Sequence, residues 1–547
     1  MKIAGKGSNP AASWKTRRTK PVNRISILIL AVALLSGCAA LPPGSDFPKS
    51  ASTAFAHPEQ TALGQKMAPA ARAHPGLSGF HILTRGEDGF LTRAQMIARA
   101  ERSIDLQYFI FRNDDTGQLL AQALLDAADR GVHIRILIDD GETEDGDEQL
   151  AALQAHPNIE LRIFNPFRYR GHSDSIRFAE FAFNRNRLDY RMHNKLFVVD
   201  NAIALVGGRN LADGYFQIDP ASQFGDDDVF SVGPVVEQLS ATFDDYWNSA
   251  SAIPVAALAP ASANQLMTYR RSLDMHRQQL DASGAGYALR IRSGVPLEDM
   301  LSGKLPLSWA TAHVVCDSPD KAKVEKGEEI GKLMNRRVGA AVTEVQSELL
   351  MVSPYLVPGD DGMRLLDSLR ARQVQVRILT NSLMSATVLS AQAGYMRYRE
   401  RMLDDGIELY EVRSQLGSSR GSGQSAAMDS YGTYSLHAKL FVFDRKKLYI
   451  GSMNFDQRSM HLSTEIGLII DSEELARQTA ERFEAIVNPI NSYQVELRAT
   501  EPGAKPGLLW HTEENGHPVD YMAEPAQDAW KRFEVEMTAL FPIDGEL

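Results

Sequence analysis

The amino-acid sequence predicts an α/β protein made of two similar lobes, each a central β-sheet flanked by helices. Each half contains a strand-like segment, a helical pattern and a second buried strand, joined by short links. In the first half these are 103–111, 117–130 and 132–140, and in the second they are 348–356, 362–372 and 374–380. Two copies of this pattern indicate an internal repeat with parallel strand pairing.

Each half then continues into the same cassette of polar residues. The pattern is His-x-Lys-x4-Asp, six further residues, and then Gly-Gly/Ser-x-Asn. The cassettes are 244 residues apart, about the length of one domain. Their candidate site residues are His193, Lys195, Asp200 and Asn210 in the first half, and His437, Lys439, Asp444, Ser452 and Asn454 in the second.

The composition is that of a folded protein with an acidic body. Of 547 residues, 44% are hydrophobic and 23% are charged, and the formal net charge is −11. Residues 1–37 carry seven basic and no acidic residues, so the remainder is more acidic still. An acidic body matches a nucleic-acid backbone poorly, and we expect no nucleic-acid partner, although a local basic patch would change that. The two cysteines, Cys38 and Cys316, predict no disulfide framework.

The N-terminus has the pattern of an export signal. A basic stretch precedes an apolar run over 25–35, which is too short to span a bilayer comfortably, and the run ends at Leu35-Ser36-Gly37-Cys38. This resembles a bacterial lipobox, which implies a lipoprotein signal peptide over 1–37 and lipidation of Cys38. The alternatives are an ordinary signal peptide or a single anchor helix. Residues 38–75 are rich in Ala, Pro and Ser and predict a flexible tether.

The two cassettes resemble the HKD motif of the phospholipase D superfamily, and the similarity to bacterial cardiolipin synthases of the C type extends over about 76–547. It implies a first phospholipase D-like lobe over 76–262, a connecting region over 263–340, a second lobe over 341–495 and a C-terminal tail over 496–547. The active site should lie at the interface of the lobes. With Ala39 after the lipidated cysteine, resemblance to lipoproteins implies the bacterial outer membrane, facing the periplasm.

The residue types suit attack on a phosphodiester. Two imidazoles can supply a nucleophile and an acid/base, because their ordinary pKa lies near neutrality. Lysine ammonium groups and polar side chains can bind the phosphoryl oxygens, and we assign Lys195, Lys439, Asn210, Asn454 and Ser452 to this task. The cassettes contain no zinc-type ligand cluster, and two lysines would repel a metal. We therefore expect metal-free chemistry without a cofactor.

The resemblance implies a phosphohistidine intermediate, with His193 as nucleophile and His437 as acid/base. The sequence itself is symmetric and leaves this assignment open. Each histidine also needs a carboxylate to orient it. By resemblance the carboxylate lies downstream on a following strand, which indicates Asp226 for His193, with Asp228 as the alternative, and Glu465 for His437.

The aspartates of the motif receive a different interpretation. Asp200 and Asp444 belong to the motif's catalytic set by resemblance, but each lies an odd number of residues from its histidine. Strand alternation turns them to the opposite face, which favours a structural role over direct catalysis.

Three activities fit these features. A phosphatidyltransferase of the cardiolipin synthase type would join a phosphatidyl group to phosphatidylglycerol. A phospholipase D would use water and release phosphatidic acid, and a nuclease or phosphodiesterase would act on a soluble substrate. The anchor and the acidic body favour phospholipid substrates at a membrane surface. The resemblance favours the transferase, with phosphatidylethanolamine as a candidate donor and an accessory protein as a candidate partner.

Overall fold

The computed structural model describes residues 42–141, 147–218, 222–259, 262–282, 295–326, 333–417, 433–498 and 507–539. The strands are β1 (Ser78–Leu83), β2 (Ser103–Tyr108), β3 (His133–Asp139), β4 (Ile159–Phe164), β5 (Leu196–Val199), β6 (Ile203–Gly207), β7 (Ser222–Gly225), β8 (Asp228–Val232), β9 (Ala252–Pro254), β10 (Ser308–Cys316), β11 (Glu348–Val352), β12 (Leu356–Val357), β13 (Gln375–Asn381), β14 (Glu408–Val412), β15 (Thr433–Leu436), β16 (Leu440–Phe443), β17 (Lys447–Gly451), β18 (Phe455–Asp456), β19 (Ile466–Asp471), β20 (Ser492–Arg498), β21 (Gly507–Glu514) and β22 (His517–Tyr521).

The described helices lie mainly between these strands. They are α1 (Ala62–Ala73), α2 (Gly86–Arg99), α3 (Asp115–Asp129), α4 (Asp147–Gln154), α5 (Asp174–Phe183), α6 (Arg185–Leu188), α7 (Pro234–Trp247), α8 (Ala263–Ala282), α9 (Leu297–Leu301), α10 (Met334–Glu344), α11 (Gly359–Ala371), α12 (Leu389–Asp404), α13 (Glu473–Val487) and α14 (Ala529–Ala539). Short 3-10 turns cover Pro58–Gln60, Asp213–Phe216, Val255–Ala257 and Lys321–Lys326, and a π-helical turn covers Arg458–Leu462.

The strands form two sheets of the same design, which confirms the predicted α/β fold. The first runs in the order β9-β4-β3-β2-β5-β6-β8-β1, with β2, β3 and β4 parallel. The second runs β19-β17-β16-β11-β13-β14-β20-β21-β22, with β11, β13 and β14 parallel. Both cassette strands, β5 and β16, lie antiparallel to the first strand of a parallel trio. They are buried throughout, because LFVV and LFVF are continuous apolar runs.

A strand of the connecting region joins the two sheets. The first residues of β10 pair with β1, and residues 311–316 pair with β19. The result is one 18-stranded sheet. The described parts of 496–547 extend the second sheet through β21 and β22, and α14 packs on α12 through buried Val535.

The flexible tether predicted for 38–75 is wrong for its described part, 42–75. The Lys49 ammonium donates to the carbonyls of Ser249 at 2.6 Å and Ala252 at 2.8 Å. The amide of Ala54 donates to Asp244, and α1 buries Leu63 and Met67. The spacing i, i+4 of these two residues makes one apolar helix face, which the Ala-rich composition obscures. Cys38 and the predicted signal peptide lie outside the described residues.

Asp200 and Asp444 bind backbone amides, which is the structural role that the sequence favours, although both lie just outside the cassette strands. Each has positive φ, 53° and 51°, in the tight turn after its cassette strand. The Asp200 carboxylate accepts the amides of Glu101, Arg102 and Ser103 at 2.7 to 3.3 Å. Asp444 does the same for residues 346–348. Both side chains therefore tie the cassette turn to the start of the neighbouring strand, and they are not part of the catalytic set.

We expect Asp200→Ala to lower the free energy of unfolding by about 2 kcal/mol, because the backbone amides at the start of β2 lose their hydrogen-bond acceptor. Asp444→Ala should cost less, since Asp444 is partly exposed whereas Asp200 is fully buried, and water can replace the hydrogen bonds of Asp444 to Gln346 and Ser347. Turnover per folded molecule should be unchanged in both. Thermal unfolding with activity corrected for folded protein measures this, and a specific loss of turnover at wild-type stability would contradict it.

Candidate active site

The two halves exchange backbone hydrogen bonds around both histidines. The amide of His193 donates to the carbonyl of Thr464 at 2.9 Å, and the amide of His437 donates to the carbonyl of Gly225 at 2.8 Å. Beside His437 the strands β7 and β15, one from each half, pair in parallel. Both histidines lie just ahead of the cassette strands and outside them. Each is therefore fixed by the other half of the protein.

The carboxylates follow the same crossed arrangement. His193 Nδ1 lies 2.9 and 3.1 Å from the Glu465 carboxylate, and His437 Nδ1 lies 2.6 Å from Asp226 Oδ2. The predicted pairing of each histidine with the acid downstream in its own half is therefore wrong, although both acids orient a histidine. The residues on which the exchange depends, Thr464 and Gly225, directly precede the two acids.

Asp228, the alternative to Asp226, has a different task. Its carboxylate forms buried ion pairs with Arg93 at 2.8 Å and Arg209 at 3.2 Å. Because Asp226 and Asp228 are two residues apart, sequence alternation could not separate them. The structure assigns Asp226 to the histidine and Asp228 to the core of the first lobe.

Ser452 orients a carboxylate, so its predicted role in phosphate binding is wrong. Its hydroxyl donates to Glu465 at 2.5 Å and accepts the amide of Ile466 at 3.0 Å. The hydroxyl of Ser459 adds a second bond to Glu465 at 2.9 Å. At the matching position of the first half, a Cβ on Gly208 would approach Asp226 to 2.2 Å. Glycine is required there, and the serine of the second half uses the same closeness to hold its acid.

The two lysines of the motif are buried beside the histidines. Lys195 Nζ donates to the carbonyl of His193 at 2.6 Å. Lys439 Nζ lies 3.0 and 3.3 Å from the two ring nitrogens of His437. Burial lowers the pKa of both lysines, and the Glu465 and Asp226 carboxylates act in the opposite direction. An anionic phosphate at this position would likewise favour the charged ammonium form.

Asn210 and Asn454 line the same cavity as the histidines. The Asn210 side-chain oxygen accepts the amide of Ile110 at 3.2 Å, and the Asn210 side chain also bonds to the Tyr215 hydroxyl. The side-chain oxygen of Asn454 is buried and has no hydrogen-bond partner among the described residues. Phosphate binding by Asn210 and Asn454 stays a prediction.

The environment lowers the pKa of both histidines below the ordinary value. Burial lowers the pKa of His193 to about 4, although Glu465 acts in the opposite direction. Burial and the Lys439 ammonium lower the pKa of His437 to about 3, against Asp226. Burial alone would raise the pKa of Asp226, but His437 and Lys439 outweigh it and lower that pKa to about 2. A neutral imidazole with Nδ1 bonded to a carboxylate has its Nε2 lone pair for attack on phosphorus.

Both histidines and Glu465 line one cavity of 530 Å³. Besides His193, His437 and Glu465, it is lined by aromatic side chains that sequence reasoning missed: Phe109, Phe167, Phe181, Tyr215 and Tyr355. The ring centres of Phe109 and His193 are 5.3 Å apart, and those of Tyr215 and His437 are 5.0 Å apart. Phe109 belongs to the first strand-like segment, and the alternation of that segment does not indicate which of its side chains lines a cavity. The cavity therefore combines a polar centre with apolar walls.

Comparison with known proteins agrees with this geometry. The family model described as "Cardiolipin synthase, PLD-like domain" matches residues 94–247 and 340–487. The chain belongs to this phospholipase D-like family. Cardiolipin synthase C of Escherichia coli is 34% identical over 88% of this chain and 99% of its own length. Cardiolipin synthase of Geobacillus thermodenitrificans is 24% identical over 76% of this chain and 68% of its own length.

A solved structure shares the phospholipase D fold. The phosphatidylserine synthase of Haemophilus influenzae matches with a TM-score of 0.50 at 14% identity, covering 78% of this chain and 92% of its own. This likeness shows the fold, and the family model and the cardiolipin synthase relatives support assignment to the phosphatidyltransferases of the phospholipase D superfamily. Within the described ranges, no group of three or more His, Cys, Asp and Glu is arranged to hold a metal ion. No described helix is long and apolar enough to cross a membrane.

Proposed function

We propose that this phospholipase D superfamily enzyme transfers a phosphatidyl group to a hydroxyl of phosphatidylglycerol and so makes cardiolipin. The observation that carries the proposal is the crossed pair of His–carboxylate dyads on one cavity. Two such dyads can divide nucleophile and acid/base roles at one phosphorus. The identity to cardiolipin synthase C over 88% of the chain supports a lipid substrate.

In the proposed first step, His193 Nε2 attacks phosphorus of the donor phospholipid. The P–N bond forms, the bond to the leaving alcohol breaks, and His437 gives that alcohol a proton. The anionic phosphodiester raises the pKa of His437 and so favours the protonated form that gives this proton. Lys195, Lys439 and the two asparagine amides would hold the phosphoryl oxygens.

In the second step, His437 removes a proton from the hydroxyl of phosphatidylglycerol, whose oxygen attacks phosphorus and displaces His193. Water would give phosphatidic acid instead, so the outcome depends on what reaches His437. The aromatic walls of the cavity disfavour water and suit an acyl glycerol group. This supports the transferase over the hydrolase. We take phosphatidylethanolamine as the donor.

Lipid profiling of a cardiolipin-free bacterium that expresses the chain tests the proposal. We expect cardiolipin to appear with the wild-type chain and to be absent with His193→Ala or His437→Ala. Purified enzyme with phosphatidylglycerol, with or without phosphatidylethanolamine, would then identify the donor. Accumulation of phosphatidic acid without cardiolipin would establish the hydrolase in its place.

We further propose that Cys38 anchors the enzyme in the bacterial envelope, on the periplasmic face of the outer membrane. The apolar run over 25–35 followed by Leu-Ser-Gly-Cys supports this. A Cys38→Ser variant should leave the membrane fraction or keep its unprocessed length on a gel. Wild-type fractionation and migration of the variant would contradict lipidation, and Cys316→Ser is the matched control.

A further inference from the structure

The helix α5 (Asp174–Phe183) is amphipathic in the reverse of the usual sense. Its one fully buried residue is Arg177, whereas Ile176, Phe178 and Phe183 are 50%, 72% and 88% exposed. A surface helix of a globular protein normally turns its apolar face to the core and its charges to water. This helix therefore presents a large apolar face outwards.

Polar contacts hold α5 in this orientation. The guanidinium of Arg177 lies 4.2 Å from the centre of the Phe167 ring and donates to the carbonyl of Asp140. On the same helix the Glu180 carboxylate accepts the amides of Arg168 at 2.7 Å and Tyr169 at 2.8 Å. The inner side of the helix is thus the polar one, and the outward aromatic side chains are a fixed feature of the fold.

The exposed face is continuous with the active-site cavity. Phe181, on the same helix, lines the 530 Å³ cavity together with His193 and His437. Val388 of the second lobe lines it as well and is 38% exposed. An apolar surface therefore leads from the outside of the protein to the reacting groups.

Two exposed arginines flank the helix in a chain of net charge −11. The neighbouring Arg170 and Arg191 are paired with Asp140 and Asp139, and Arg185 lies 3.4 Å from Asp189. Arg168 and Arg185 are exposed. Apolar side chains flanked by cations suit the interface of an anionic bilayer.

We propose that Ile176, Phe178 and Phe183 insert into the bilayer and set the mouth of the cavity on the membrane surface. Substrate lipids would then enter the site without passing through water. The proposal rests on the proposed function, which supplies the lipid substrate, and it adds a membrane contact that does not depend on Cys38. A protein partner on this face would instead cover the substrate's route.

Fluorescence quenching tests the contact without use of the activity. Full-length lipid-anchored protein is bound to vesicles of equimolar phosphatidylethanolamine and phosphatidylglycerol with brominated acyl chains. Phe178→Trp should show quenching beyond the wild type, whereas Met267→Trp should not. Met267 is 51% exposed on α8 and is tethered equally, so it is a matched control. Equal signals from the two variants would overturn the proposal.

A second experiment measures the consequence for turnover. The double variant Phe178→Ser, Phe183→Ser should lose roughly tenfold or more in transfer on vesicles, because two aromatic side chains no longer insert. Its activity on short-chain lipids dispersed as monomers should be unchanged, and Met267→Ser, Met275→Ser should match the wild type on both. Equal loss on both substrates would contradict the membrane contact. A wild type inactive on both would refute the proposed function, while quenching still decides the contact.

Discussion

Replacing His193 or His437 by alanine is expected to reduce turnover by roughly 10⁴-fold or more, because each removes one of two groups that act as a unit. Both side chains lie at the centre of the cavity, and both rings are held by a buried carboxylate. The substitutions remove a ring from a cavity wall and not from the core, so the fold should survive. Unchanged circular dichroism with lost transfer would meet the expectation.

The two variants should nevertheless fail at different steps. In His437→Ala, His193 can still attack a donor with a good leaving group, and the phosphatidyl group should stay on the protein. Mass spectrometry would then find the added mass on His193. Finding it on His437 in the His193→Ala variant would reverse the assignment. His133→Ala, on an exposed strand position of β3, is the control and should behave as wild type.

Much of the fold could be predicted because it follows from local pattern. Continuous apolar runs such as 196–199 and 440–443 specify buried strands wherever they occur, and equal spacing in both halves indicates a repeat. The structural role of Asp200 could also be predicted, but Asp200 lies in the turn after β5 with positive φ, so this turn and not strand alternation sets its orientation.

The parts that could not be predicted depend on contacts between distant segments. The sequence indicates which acids are used, but which histidine each one reaches depends on how the halves meet, through Thr464 and Gly225. From its place in the motif, Ser452 is predicted to bind phosphate. In the structure its hydroxyl instead donates to the Glu465 carboxylate, because the two side chains lie side by side. The same limit explains the segment 42–75, whose Ala-rich composition says nothing of its hydrogen bonds to the first lobe.

The crossed arrangement predicts that Glu465→Gln slows the step carried out by His193, and that Asp226→Asn slows the steps carried out by His437. We expect losses of roughly 10²- to 10⁴-fold, because a carboxamide keeps the shape of the side chain but removes the charge that orients and stabilises the imidazole. Asp227→Asn is the control, since that neighbouring carboxylate is bonded to Arg482 and does not contact a histidine ring. Stopped-flow or quench measurements of phosphoenzyme formation and of full turnover separate the steps.

The His437→Ala background distinguishes crossed from within-half pairing. There, phosphohistidine formation depends on His193 alone, and the partner of the missing histidine has no further function in this step. Adding Glu465→Gln should slow formation of the phosphoenzyme by the same roughly 10²- to 10⁴-fold factor, because Glu465 accepts from His193 Nδ1 at 2.9 Å. Adding Asp226→Asn should change it little, because the ring that Asp226 holds at 2.6 Å is already absent. The opposite ranking would mean that each acid serves the histidine of its own half.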